Sequence, residues 1–406
     1  MKPIFREEIE FLKLDIPKET CFMDRNIIKA FDENNKLIRL YRLKIENNEI
    51  TISKYNDKFV KLKMWNELID VKRLEKLEKD SIETTKILLD KYNDSTPFIC
   101  HSGGKDSTVT AHIVKKVKND IPIMFNNTSN ESADTYKYIK KLNNIHIVNP
   151  KEGFWQMMKR ENFVPSKFAR KCCVIYKHDT TLEFLDKDKK YLLFMGMRND
   201  ESVKRAKYKT EHRFNYYPDE WVCGLPIREW NEWDIWSYIL YHKLEFNNVY
   251  RYGYKRCGCI ICPNRTPYED VLTRNYFPNQ VKRFEVVQRS NFFAYQRWTN
   301  LNCTLQEFIN GAWKGGKVRS EPTSEVIKEF AEYKGISTEL ASKYFNQKCS
   351  CGANINDIAV GLNMKYNGRN TKEFRCLKCL AKEFGKTQKQ LKEIARQLKI
   401  GGCELF

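Results

Sequence analysis

The chain has 406 residues and carries 72 basic and 52 acidic side chains, which give a formal net charge of +20. This charge favours a polyanionic partner such as nucleic acid, although a lysine-rich surface can also serve solubility alone. No apolar run of about 18 residues and no signal-peptide pattern occur, so membrane-spanning and secreted classes are excluded and a soluble cytoplasmic protein is predicted.

Residues 1–70 are predicted to form a small β-rich module, because apolar side chains alternate there and asparagine pairs mark the turns. A helix is predicted from Leu68 to Leu89. The strands that follow are predicted at residues 98–100, 121–125, 145–148 and 191–195. Helical patterns separate these strands, which indicates βαβ units and a parallel sheet in an α/β domain predicted for residues 71–265.

The strand at 98–100 runs directly into the sequence Ser-Gly-Gly-Lys-Asp-Ser, which is followed by a helix. Adjacent glycines permit a tight turn close to an anion, and the free N–H groups of a helix N-terminus favour phosphate. The pattern differs from the GxxxxGK[ST] loop of kinases and GTPases. The predicted phosphate-binding residues are Ser102, Gly103, Gly104, Lys105, Asp106, Ser107 and Thr108. A glycine turn with a solvated lysine is the alternative interpretation.

Fourteen cysteines in a cytosolic chain indicate metal binding or thiol chemistry rather than disulfides. Two tandem cysteines, Cys172 and Cys173, cannot easily share one tetrahedral zinc ion, whereas a [4Fe–4S] cluster accepts one thiolate on each iron. Together with Cys259 and Cys262 they are the candidate cluster ligands. The alternative is a structural zinc site that uses Cys257, Cys259, Cys262 and one further ligand.

The loop and several later motifs resemble the phosphoadenosine-phosphosulfate (PAPS) reductase family, which has the adenine-nucleotide α-hydrolase fold of the N-type ATP pyrophosphatases. The matching motifs are the loop at 102–107, GMRNDES at 196–202 with Arg205, the stretch 226–236 and the cysteine segment 250–263. The resemblance implies a parallel sheet of this PP-loop type and a cluster like that of the adenylyl-sulfate reductases. The residues implied to contact nucleotide or anion are Gly196, Arg198, Glu201 and Arg205.

The chain departs from those reductases, which bind an already adenylylated sulfate, in three places. Its loop retains Lys105, whereas theirs is usually degraded. Its tail carries Cys403 without the glutamate and histidine that flank the reductases' nucleophile, and Cys403 is kept as a candidate catalytic thiol. Asn127 stands where the family often has an acid, which leaves Asp106 and Glu131 as the acids for Mg²⁺ near the phosphates.

An intact ATP loop with cluster cysteines is the combination of the family's sulfur-inserting enzymes, the tRNA thiolases and the DNA-phosphorothioation enzymes. The resemblance therefore implies cleavage of ATP to AMP and pyrophosphate for sulfur insertion into nucleic acid, in DNA modification or phage defence. The implied catalytic residues are Lys105, Asp106, Arg198 and Arg205. The expected partners include a sulfur donor such as a cysteine desulfurase and a protein complex. The alternatives are an assimilatory adenylyl-sulfate or PAPS reductase that produces sulfite, and a nucleotide-binding scaffold associated with nucleic acid.

Residues 266–345 are predicted to form a basic helical region in which positive side chains alternate with aromatic rings. This pattern is typical of nucleic-acid binding, and an amphipathic helix with its aromatic rings in the core is the alternative. The basic residues are Lys282, Arg283, Arg289, Arg297, Lys314, Lys317 and Arg319, and the aromatic residues are Phe284, Phe292, Phe293, Tyr295, Trp298 and Trp313.

Residues 346–406 are predicted to form a cysteine-rich module of the zinc-ribbon type. Its candidate zinc ligands are Cys349, Cys351, Cys376 and Cys379, in a CxC…CxxC arrangement. Apolar residues at 355–362 predict short hairpins between the two pairs. A final helix is predicted from Thr387 to Ile400, where two glycines end it.

Overall fold

The computed structural model describes residues 1–46, 48–55, 61–167, 170–299, 301–315, 320–345 and 347–406. The chain forms two units, one made of residues 1–156 with 169–282 and the other of residues 157–168 with 283–406. No helix within these described ranges is long and apolar enough to cross a membrane.

The N-terminal part of the first unit is a five-stranded antiparallel sheet in the order β1-β2-β3-β4-β5. Its strands are β1 (Lys2–Pro3), β2 (Cys21–Asp24), β3 (Ile27–Phe31), β4 (Leu37–Glu46) and β5 (Glu49–Lys54). Asn35 and Asn48 lie at the turns that flank β4, with φ angles of 61° and 65°. Asparagine tolerates this left-handed conformation better than most residues, which explains its use at both turns. The predicted β-rich start is confirmed.

The second sheet of this unit has the order β10-β11-β9-β6-β7-β8, and only the edge strand β10 is antiparallel to its neighbour. Its strands are β6 (Thr96–Cys100), β7 (Ile123–Asn126), β8 (Ile145–Val148), β9 (Tyr191–Met195), β10 (Glu211–His212) and β11 (Trp221–Gly224). The helices up to residue 276 are α1 (Arg6–Phe11), α2 (Val71–Lys91), α3 (Lys105–Val117), α4 (Ala133–Ile139), α5 (Phe154–Arg160), α6 (Lys171–Cys173), α7 (Thr180–Phe184), α8 (Val203–Ala206), α9 (Glu232–Tyr241) and α10 (Pro267–Tyr276). A π-helical segment, Val174–Asp179, joins α6 to α7. The predicted α/β class with a parallel sheet is confirmed.

The strand order determines where a ligand binds. β7 and β8 lie on one side of β6, whereas β9 and β11 lie on its other side, so the direction of the chain across the sheet reverses at β6. Ligands of open parallel sheets bind at such a switch point, outside the carboxyl ends of the strands. The loop with SGGKDS follows β6, and the loop with GMRNDES follows β9. Because β6 and β9 are hydrogen-bonded neighbours, both motifs lie at the switch point.

The second unit is helical around a core of its own. The helices that follow residue 276 are α11 (Pro278–Thr299), α12 (Leu305–Ile309), α13 (Ser324–Lys334), α14 (Thr338–Ser342), α15 (Asp357–Asn367), α16 (Leu377–Glu383) and α17 (Gln388–Ile400). The hairpins predicted between the cysteine pairs are wrong, because α15 occupies that interval. Asn356 caps this helix by accepting a hydrogen bond from the Ala359 N–H at 2.9 Å.

The aromatic residues predicted for nucleic-acid binding are mostly in the core of the second unit. Phe284, Phe292, Tyr295 and Trp313 are each at most 7% exposed. Phe284 meets Trp313 edge to face, with ring centroids 4.8 Å apart. These rings therefore follow the alternative interpretation of an amphipathic helix. Four further residues of that prediction, Arg297, Trp298, Lys317 and Arg319, lie outside the described side chains.

Candidate nucleotide and cysteine site

The loop after β6 concentrates hydrogen-bond donors in one place. Gly103 has a φ of +77°, a conformation that favours glycine, and Gly104 precedes the first residue of α3. Ser107 Oγ donates to the carbonyl oxygen of Gly104 at 2.8 Å and lies 3.4 Å from Ser102 Oγ. Because α3 begins at Lys105, the first turn of this 13-residue helix lies at the loop, and the Lys105 N–H donates to the Tyr250 hydroxyl at 2.9 Å.

Two cations converge on Asp106. Lys105 Nζ lies 3.0 Å from Oδ2 of Asp106, and Arg198 Nε donates to Oδ1 at 2.6 Å. Burial would raise the pKa of the Asp106 carboxyl, but Lys105 and Arg198 outweigh burial and hold that pKa below its usual range. Asp106 is therefore ionised at neutral pH and orients both cations at the loop.

Gly196 brings the loop after β9 against the start of α3. A Cβ atom at this position would lie 2.7 Å from the carbonyl carbon of Asp106, so a larger residue would push the two segments apart. Two residues later, the Arg198 N–H donates to Glu201 at 3.1 Å, and Glu201 forms an ion pair with Arg205. The structure thus brings together the loop residues and the second predicted nucleotide motif.

A cavity of about 780 Å³ opens over these residues and is lined entirely by the first unit. Its volume lies within the range of about 300–1,000 Å³ that is usual for ligand sites. The charged residues that line it are Lys105, Arg170, Lys177, Arg198, Lys204, Arg205, Lys255 and Arg256, with Asp106, Glu131, Asp200, Glu201 and Glu232. The excess of basic over acidic side chains suits an anionic ligand such as a polyphosphate.

The structure brings the two predicted cysteine pairs of the first unit together. Cys172 and Cys173 form the end of α6, and Cys259 and Cys262 lie in the loop before α10. The Cys172 thiol is hydrogen-bonded to Cys173 and interacts electrostatically with Cys259 and Cys262. That hydrogen bond, helped by the ammonium group of Lys177, lowers the pKa of Cys173 to about 6 and favours its thiolate.

The donor set of Cys172, Cys173, Cys259 and Cys262 consists of four thiols, and thiolates are ligands of both iron–sulfur clusters and zinc. Among the described residues, Cys172, Cys173, Cys259 and Cys262 do not form a group whose sulfur atoms all lie within 4.8 Å of one another. A [4Fe–4S] cluster places its four thiolates on separate irons and so takes more widely spaced sulfur atoms. The cluster at these four residues stays a prediction.

Cys257 has a different environment from its neighbours in the CxCxxC segment. Asn247 Nδ2 lies 3.0 Å from its sulfur atom, and Thr135 Oγ1 lies 3.5 Å from it. The same sulfur atom lies 3.4 Å from where a Cβ atom on Gly103 would be. Cys257 therefore packs against the SGGKDS loop at residues 102–107. Its contacts with Thr135 and Gly103 join segments more than a hundred residues apart, so no spacing in the sequence could reveal them.

The acidic residues of the cavity differ in their surroundings. Thr128 Oγ1 donates to a carboxylate oxygen of Glu131 at 2.5 Å and lies 3.4 Å from the sulfur atom of Cys259. Glu131 therefore lies at the end of the cavity that contains the cysteines. Burial raises the pKa of the Glu131 carboxyl. Glu232, which sequence reasoning missed, lies 3.9 Å from Lys105 Nζ. Glu232 lies within the stretch 226–236, whose resemblance to the family was the signal that could have identified it as a site residue. A Mg²⁺ site at Asp106 and Glu131 stays a prediction.

The four cysteines predicted as zinc ligands meet in the second unit. The sulfur atoms of Cys349, Cys351, Cys376 and Cys379 all lie within 4.8 Å of one another, and those of Cys351 and Cys376 are 3.8 Å apart. Tetrahedral zinc with Zn–S bonds of about 2.3 Å requires sulfur atoms roughly 3.8 Å apart, so this set fits zinc. Backbone N–H groups of Cys351 and Cys376 lower the pKa of Cys349 to about 6, which favours the thiolate that zinc needs.

Replacing Cys376 with serine is expected to release one zinc ion per chain and to lower the melting temperature of the second unit. Cys349 and Cys376 belong to the core of that unit, and structural zinc contributes on the order of 10 kcal/mol to the folding of small zinc modules. Zinc analysis and thermal unfolding measure both effects. Cys303→Ser is the control, because Cys303 is a buried cysteine of the same unit outside this group. Equal zinc content in both variants would contradict the assignment.

Cys403 also lies in the second unit. It is partly buried and packs against the core, and its N–H donates to the carbonyl oxygen of Leu398 at 2.9 Å. Its role as a catalytic thiol stays a prediction.

Residues 96–265 match the family model of the phosphoadenosine phosphosulfate reductase domain. An uncharacterized protein of Methanocaldococcus jannaschii is 29% identical over 58% of this chain and 60% of its own length, so the chain spans less than two thirds of that relative. An adenosine 5'-phosphosulfate reductase of Shouchella clausii is 25% identical over 47% of this chain and 81% of that enzyme. The crystal structure of phosphoadenylyl-sulfate reductase from Candida auris is 16% identical over 46% of this chain and 93% of that chain, with a TM-score of 0.38.

Proposed function

We propose that the phosphoadenosine phosphosulfate reductase domain of this chain binds ATP, cleaves it to AMP and pyrophosphate, and so activates nucleic acid for sulfur insertion. One observation carries the proposal. Lys105 and Arg198 are both fixed by Asp106 at a loop that also presents the N-terminus of α3. This arrangement suits a triphosphate, because two cations and a helix N-terminus can face one polyanion.

The first chemical step forms a bond between an acceptor oxygen and the α-phosphorus of ATP. The bond from that phosphorus to the β-phosphate oxygen breaks, and pyrophosphate leaves with the electron pair. Lys105 and the loop amides stabilise the charge that grows on pyrophosphate, and Asp106 keeps Lys105 in place for this role. The acceptor oxygen now carries AMP and has become a good leaving group.

In the second step a sulfide-level sulfur atom attacks the activated acceptor atom, and AMP departs with the original acceptor oxygen. No electrons are gained or lost overall, so the step requires only a sulfur donor at the oxidation level of sulfide. A cluster bound at the four cysteines of the first unit would supply iron to hold that sulfur. Cys173 and Cys259 line the same cavity as Lys105, so a substrate bound there can contact both the group that supports adenylation and the cysteines that support sulfur transfer. A DNA-phosphorothioation or tRNA-thiolation role within a phage-defence complex belongs to this proposal.

The experiment uses the full chain, purified without oxygen, with ATP, Mg²⁺ and sodium sulfide, and with single-stranded DNA or tRNA as acceptor. AMP and pyrophosphate are expected in equal amounts, together with sulfur-containing nucleosides after digestion of the acceptor. Production of ADP instead of AMP would contradict cleavage between the α and β phosphates. Sulfite formation from adenylyl sulfate and a dithiol would favour the reductase, which the similarity to adenosine 5'-phosphosulfate reductases supports.

A further inference from the structure

Three aromatic rings form a stack on the wall of the nucleotide cavity. The ring of Tyr216 lies 4.0 Å from that of His178, with an interplanar angle of 5°. It also lies 5.1 Å from the ring of Phe214, with an angle of 14°. These are the geometries of stacked rings, although the three residues come from two separate segments of the chain.

The two ends of this stack have different environments. Phe214 is 8% exposed and belongs to the hydrophobic core beside β9 and β11. His178 is partly buried and lies in the π-helical segment that follows Cys173. Burial lowers the pKa of His178, so its ring is neutral at pH 7 and stacks as an uncharged heterocycle. All three rings line the cavity, and the stack therefore runs from the core to the ligand space.

Basic side chains line the same cavity as the stack. Arg170, Lys177 and Arg205 line the same cavity as His178. Aromatic rings flanked by cations are how proteins bind single-stranded nucleic acid, because bases stack on the rings while cations contact the backbone phosphates. A cavity of about 780 Å³ is too small to admit a duplex, so a base must leave its helix to enter.

From these observations we infer that the stack of His178, Tyr216 and Phe214 binds a splayed-out nucleobase of a single-stranded nucleic acid. The base adds to the His178 end of the stack. The inference rests on the proposed function in that the bound base belongs to the acceptor. It places that base in the cavity that Cys173, Cys259 and Lys105 also line, where activation and sulfur transfer would occur.

The test measures binding of ten-nucleotide single-stranded DNA and RNA probes that carry 5-iodouracil, in the presence of a non-hydrolysable ATP analogue. Photocrosslinks mapped by mass spectrometry are expected at His178 or Tyr216. His178→Ala is expected to weaken probe binding on the order of tenfold, because one stacking surface is lost. His178→Phe is expected to retain binding, since a phenyl ring still stacks. His146→Ala, which alters an exposed histidine on β8 outside the cavity, is the matched control.

Crosslinks that map only outside the cavity would overturn the inference, and so would equal weakening by His178→Ala and His178→Phe. A matching loss of ATP-analogue affinity in His178→Ala would also overturn it, because the stack would then hold adenine. Thermal unfolding confirms that each variant is folded, and the crosslink map of the unmodified chain gives a result that needs no variant. If the expected pattern holds but no acceptor yields AMP, the base site stands and the proposed chemistry falls. Preference between the two probes identifies DNA or RNA as the source of the base.

Discussion

Replacing Lys105 with alanine is expected to abolish ATP binding while leaving the iron content of the chain unchanged. The Lys105 side chain is only 4% exposed, and its ammonium group is held 3.0 Å from Asp106 at the loop. Truncating one partner of a buried charge pair between a protein and what it binds costs roughly 2–5 kcal/mol. For the pair that Lys105 would form with a phosphate of ATP, this corresponds to an increase in Kd of about 30-fold to several thousandfold. Calorimetric titration with a non-hydrolysable ATP analogue measures this change.

The design of this experiment separates binding from folding. Asp106 retains its bond to Arg198 in the Lys105→Ala variant, so its carboxylate is not left without a cation and α3 is expected to remain folded. Lys118→Ala is the matched control, because Lys118 is an exposed lysine at the other end of the same helix. Unchanged ATP affinity in Lys105→Ala would show that the phosphates bind elsewhere. Loss of iron in the same variant would show that the nucleotide and cysteine sites are not independent.

The main features of the first unit could be predicted because each has a local cause. An apolar run followed by two glycines and a helix predicted β6, the loop and α3, and the structure has all three at Thr96–Val117. The strand at 191–195 is buried at every position, as its uninterrupted apolar sequence indicates. A glycine is required at position 196 because a Cβ atom there would lie 2.7 Å from the carbonyl carbon of Asp106. This glycine is the first residue of the motif GMRNDES.

Other features depend on contacts between distant segments and leave no local pattern. His178 and Tyr216 stack across an interval that contains all of β9, and neither residue stands in a motif. The apolar residues at 355–362 are compatible with both a hairpin and a helix. The side chain of Asn356 favours the helix because it accepts a hydrogen bond from the Ala359 N–H at the helix N-terminus. Composition alone does not decide whether the aromatic residues near 284–313 form a binding surface or pack in the core. Packing of Phe284 on Trp313 determines that they are a core.

Replacing Cys172 with serine is expected to have the opposite effect to Lys105→Ala, with iron lost and ATP affinity preserved. Cys172 interacts with Cys173, Cys259 and Cys262 and makes no contact with the loop among the described interactions. Loss of one of four thiolate ligands removes the anchor of one iron, so the cluster is expected to fall below stoichiometric occupancy. Iron and sulfide analysis with a visible spectrum, on protein purified without oxygen, measures this loss.

Cys257→Ser distinguishes the cluster from the zinc alternative. Cys257 would be a ligand in the zinc site built from Cys257, Cys259, Cys262 and one further ligand. In the structure its sulfur atom lies next to Asn247 and the SGGKDS loop. The Cys257→Ser protein is therefore expected to retain its iron and its visible absorbance. If the unmodified chain contains no iron and binds a second zinc ion that Cys257→Ser loses, the zinc alternative is correct. The cysteines of the first unit would then be structural, and sulfur would have to reach the activated acceptor without a cluster.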